Sequence, residues 1–79
     1  MIRLKNIKQK NNILECDIIP ENSLESGHIE VDVNSETIIK YVLPQEYEWC
    51  RNHVEHAKNG LIEMYKSNTL VDERILMWN

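Results

Sequence analysis

Pro44-Gln45-Glu46-Tyr47-Glu48-Trp49-Cys50-Arg51-Asn52-His53-Val54-Glu55-His56-Ala57 is where the chain changes its period. From here Tyr47, Cys50, Val54, Ala57, Leu61 and Met64 recur at spacings of 3, 4, 3, 4, 3, which places all six on one stripe of a helix running to about Lys66. Pro44 suits the first helical position, and Glu46 and Glu48 put negative charge near the positive end of the helix dipole. Arg51, Glu55 and Lys58 form a charged flank, with Arg51 and Glu55 one turn apart. A helix of that extent measures about 33 Å, enough to cross a small sheet. Gly60 costs about 1 kcal/mol against alanine in mid-helix and so marks close packing or a slight bend.

Before Pro44 the period is two. In His28 to Asn34, the apolar Ile29, Val31 and Val33 alternate strictly with polar residues, as in a strand with one buried and one wet face. Ile13 to Ile19 sets Leu14, Cys16 and Ile18 on one side and Glu15 and Asp17 on the other. Thr37 to Leu43 is apolar on both sides, so this strand is expected to be covered twice. Ile2 to Lys8 is weaker and joins the second strand through a turn at Asn11-Asn12, a pair tolerant of positive φ. The expected fold is α+β: an antiparallel meander of four strands, one long helix on one face, and a short C-terminal strand in Glu73 to Asn79. That apolar tail, Trp78 included, is expected to pair with a sheet edge of its own chain or a neighbour's.

At 79 residues the chain has room for one core, so residues 1–79 are read as a single domain. Two cysteines are too few for a small disulfide scaffold. The first residues lack the apolar run and cleavage site of a signal peptide, and no stretch is apolar enough to span a bilayer, so a cytoplasmic location is expected, with no membrane partner. The net charge of −4 is unevenly spread. Arg3, Lys5, Lys8 and Lys10 carry no acid among them, whereas Glu15, Asp17, Glu21, Glu25, Glu30, Asp32 and Glu36 carry no base. A basic strand lying beside an acidic one accounts for this better than a nucleic-acid arm, because an acidic whole repels phosphate.

The sharpest chemical constellation is Cys50, His53 and His56, three metal-ligand types at steps of three. Such steps drift around a helix, and no zinc signature spacing accompanies them, so a metal-binding module using these residues is the alternative reading. A Cys50–His53 nucleophile pair conflicts with the place of Cys50 in mid-stripe, where burial raises a thiol's pKa. Glu15, Asp17, Glu30 and Asp32 read as a wet strand face. With only Gly27 and Gly60, no phosphate loop is available, and neither catalysis nor a cofactor is expected.

Gly27-His28-Ile29-Glu30-Val31-Asp32-Val33, Tyr41-Val42-Leu43-Pro44 and the stretch from Tyr47 to Ala57 resemble a group of small uncharacterised proteins from low-GC Gram-positive bacteria. The resemblance spans most of the chain and implies no activity. Function is therefore read from the surface. One helix covers one side of a sheet, which leaves Ile13, Ile19, Ile38 and Val42 on the other. A second helical stripe, Trp49, His53, His56 and Gly60, flanks the dry one, and tryptophan often anchors interfaces. The expectation is a noncatalytic protein that binds another protein and self-associates as a homo-oligomer, with no nucleic-acid partner.

Overall fold

The computed structural model describes residues 1–77; Trp78 lies outside them, and with it that part of the tail expected to make contacts. Five strands, β1 (Ile2–Lys10), β2 (Ile13–Pro20), β3 (Gly27–Asp32), β4 (Thr37–Val42) and β5 (Glu73–Leu76), form one sheet in the order β4-β3-β2-β1-β5. Every neighbouring pair is antiparallel. The helix α1 (Arg51–Lys66) lies on one face and touches all five strands. The expected α+β architecture is what the chain adopts, and the last strand pairs with β1 of its own chain.

The core is the shared floor of sheet and helix. Ile2, Leu4, Leu14, Ile18, Ile29, Val31, Ala57 and Leu61 are all fully buried there. Leu76 of β5 packs partly into this cluster and rests against Gly60, where a Cβ would come within 2.6 Å of its Cδ1. Close packing is thus the use of the mid-helix glycine.

Two bulges set which side chains face the helix. Lys5 pairs with Asp17 and Lys8 with Glu15, so Asn6 and Ile7 together oppose Cys16 alone. Asn6 takes φ 55°, a left-handed conformation that asparagine tolerates, and the phase of β1 flips so that Ile7 joins Ile2 and Leu4 in the core. On β4, Glu30 pairs with Lys40 and Val31 with Ile38, which leaves Ile39 as the extra residue. Ile38 therefore faces the helix side beside Val31 and packs on the core. Its expected place beside Val42 on the uncovered side is corrected by this phase change. β4 is an edge strand and mostly exposed, not covered on both faces as its composition suggested.

The helix begins later than Pro44. Gln45–Tyr47 form a 3-10 turn, and bonds from Tyr47 N to the Pro44 carbonyl (2.8 Å) and Cys50 N to the Tyr47 carbonyl (2.9 Å) carry the chain round from the sheet edge. Cys50 sits just before the helix with non-helical φ −82°, ψ 45°, and no side chain caps the α1 N-terminus. The far end closes in a Schellman arrangement: Asn68 at φ 58°, with Thr69 N donating to the Met64 carbonyl at 2.8 Å and Asn68 N to Tyr65 at 3.2 Å.

Candidate interaction surface

On the open sheet face the charge segregation of the sequence becomes cross-strand pairing. Lys8, Glu15, Glu30 and Lys40 form one row across four strands. Lys40 Nζ reaches Glu30 Oε2 at 3.2 Å, and Lys8 Nζ lies 3.9 Å from Glu15 Oε1. Glu15 and Glu30 stand directly opposite each other, a repulsive placement that the flanking lysines offset. His28 lies beside them, Nδ1 3.3 Å from Asp17 Oδ1 and Nε2 3.4 Å from Glu30 Oε2. Asn6 Nδ2 donates to Asp17 Oδ2 at 2.8 Å, and this bond, followed by that of His28, holds the Asp17 carboxyl below its ordinary value. Glu15, His28 and Glu30 offer ligand atoms within 4.8 Å of one another, the one such group among the described residues. Its carboxylates already have cationic neighbours, so the arrangement balances itself as a solvated surface network. Ile13 and Ile19 are half-buried on this strand face, and Val42 is 60% exposed.

Cys50, His53 and His56 do not form such a group. The Cys50 thiol is buried, which pushes its pKa up. His53 is buried and its Nε2 donates to Glu21 Oε1 at 2.7 Å, where the Met1 ammonium also arrives at 3.2 Å. The His53 bond is the first cause, and the ammonium the second, of a Glu21 carboxyl pKa below its ordinary 4.5. A carboxyl with a lowered folded pKa stabilises the fold above its unfolded pKa and loses that contribution as pH falls through the folded value. Glu21→Gln is accordingly expected to lower stability near neutrality and to flatten the loss of stability below about pH 4.5, measured as urea midpoints across the acid range. An unchanged acid limb in the variant would remove Glu21 as a contributor. Cys16, buried on β2, has its thiol raised to about 12 by burial, then by Asp17 and Glu15. Neither thiol is poised as a nucleophile.

Two surfaces outside the core stand out among the described residues. At the start of α1, Trp49 is 71% exposed, yet its ring is held: Nε1 donates to the Glu46 carbonyl at 3.1 Å, Tyr47 stacks obliquely at 6.1 Å, and His53 meets it edge-on at 6.3 Å. The second is a groove of about 500 Å³ between β4 and the first half of α1. Ile38, Ile39, Tyr41 and Val54 supply its apolar lining, and Arg51, Glu36, Glu55 and Lys58 its charges. Glu36 is taken by Lys66 at 2.9 Å and Glu55 by Lys58 at 3.2 Å. The expected Arg51–Glu55 neighbourhood yields no ion pair, and the Arg51 guanidinium has none among the described residues. Sequence reasoning picked out Ile38, Val42 and Trp49 but missed this groove, because the Ile39 bulge and the late start of α1 create it. The pairing of an apolar β4 with a charged helix flank was the only available signal.

No family model matches this chain, and no significant match is found among curated proteins or solved structures. No helix among the described residues is long and apolar enough to cross a membrane.

Proposed function

We propose that this chain is a small noncatalytic interaction protein of the cytoplasm, which binds an extended segment of a protein partner along the outer side of β4. The observation that carries the reading is the groove itself: an edge strand whose apolar side chains Ile38, Ile39 and Tyr41 border a concavity walled by α1. A sheet edge beside a helix is a recurrent seat for extended peptides, with side-chain pockets giving specificity. The noncatalytic part of the reading is supported by the burial of both thiols and by the cross-strand pairing of Glu15 with Lys8 and Glu30 with Lys40. The held, exposed ring of Trp49 supplies a second anchor, at low entropic cost, for a larger partner or a second copy.

The test is selection of ligands from a displayed library of random dodecapeptides, followed by amide-shift mapping of the winners on the protein. Binding is expected to move the amides of β4 and the first two turns of α1. No enriched peptide, or shifts confined to other strands, would remove the reading. Sedimentation over a wide concentration range tests the second copy, which a single monomeric species throughout would exclude.

A further inference from the structure

We infer that the occupant of the β4–α1 groove is an acidic extended segment of a different protein, with a carboxylate seated on Arg51 and apolar side chains against Ile39 and Tyr41. This rests on the interaction reading above and adds the partner's chemistry to it. The charge argument is one of elimination along the groove. Both lining carboxylates are neutralised, Glu36 by Lys66 and Glu55 by Lys58, and Lys40 is drawn to Glu30 on the open face. Arg51 is left as the unneutralised charge of the lining. It is exposed and stands at the first position of α1, where the helix dipole adds positive potential and no side chain caps the terminus. A guanidinium at one end of an apolar groove pairs bidentately with a carboxylate and selects against a basic ligand.

The same strand argues against a second copy as the occupant. Ile39 breaks the regular edge with a bulge, and Lys40 lies on it; both features discourage β4 from pairing with its own copy or continuing a ladder into the ligand, which is gripped by side chains in the groove instead. The acidic strands β2 and β3 of any second copy are held in the middle of its sheet. With Lys40 and Lys58 engaged by Glu30 and Glu55, the lining also lacks the row of free cations that tracks a nucleic-acid backbone.

The dodecapeptide selection carries the test in a second readout. Winners from the unaltered protein are expected to be enriched in aspartate or glutamate flanked by apolar residues. Arg51→Gln is expected to weaken a chosen acidic winner roughly tenfold, and Arg51→Glu to reverse the preference so that selection on that variant yields lysine or arginine instead. Circular dichroism and urea midpoints matching the unaltered protein keep the comparison free of folding effects, since Arg51 is exposed. Winners that map to β4 and α1 but show no acidic bias, or whose affinity ignores Arg51, would overturn this inference and leave the groove as a peptide site. Winners that map elsewhere would overturn both.

Discussion

Gly27→Ala is expected to be among the most damaging single substitutions in this chain, costing about 2–3 kcal/mol, the upper part of the overpacking range of about 1–3 kcal/mol, because backbone must move to relieve it. Gly27 opens β3 and is buried. A Cβ there would run into the carbonyl oxygen of Val42 and lie 3.1 Å from the Leu43 Cα. These are backbone atoms at the end of β4, so no rotamer change relieves the contact. The strand end must move, and the His28–Val42 pairing goes with it. For a domain of this size the loss is a large share of total stability, which runs at about 0.05–0.15 kcal/mol per residue. Urea denaturation measures the cost. Amide exchange is expected to show the loosening at Val42 and Leu43 before it reaches β1. A variant as stable as the parent would mean that β4 is not fixed against β3 at that point.

The second large effect is Leu61→Ala, expected to cost about 3–4 kcal/mol, within the range for emptying a leucine site that cannot collapse. Leu61 has no exposure and sits in the cluster that joins α1 to the sheet. Immediately before it, Gly60 is in contact with Leu76 of β5. A cavity at Leu61 thus loosens the helix and the last strand together. Leu24→Ala is the paired control, because Leu24 is fully exposed at 103%; its urea midpoint is expected to stay within about 0.5 kcal/mol of the parent. Equal effects for the two leucines would contradict the placement of the helix on the sheet.

Both sites depend on features of different legibility. The stripe Val54, Ala57, Leu61 and Met64 could be read directly, because a helix packed on a sheet must repeat its apolar residues at three and four. The alternation of Ile29, Val31 and Val33 was equally plain, since period two admits one buried face. The two bulges were hidden. Ile39 is an ordinary strand residue and Asn6 only permits a left-handed turn, so whether either is the odd residue out is decided by the facing strand. Hence Ile38 lies on the helix side instead of beside Val42, and Ile7 joins the core out of step with Ile2 and Leu4. The start of α1 was misplaced for a related reason. Pro44, Glu46 and Glu48 all favour a helix N-terminus locally, but the chain must first turn the corner from the β4 edge, and the 3-10 turn does that. The groove combines both hidden features. The pairing of basic β1 with acidic β2, by contrast, followed from charge alone and appears as Lys8 opposite Glu15.

The sheet order places the first strand beside the last, and this has a bearing on synthesis. β5 closes onto β1 across nearly the whole length of the chain, so the ribosome delivers four of the five strands and the helix before the closing piece exists. During that interval the outer side of β1 is an open template, and the hollow over Gly60 has no leucine in it. Nascent molecules stalled short of Glu73 are therefore the aggregation-prone form, and the few residues of β5 act as the latch that ends this exposure.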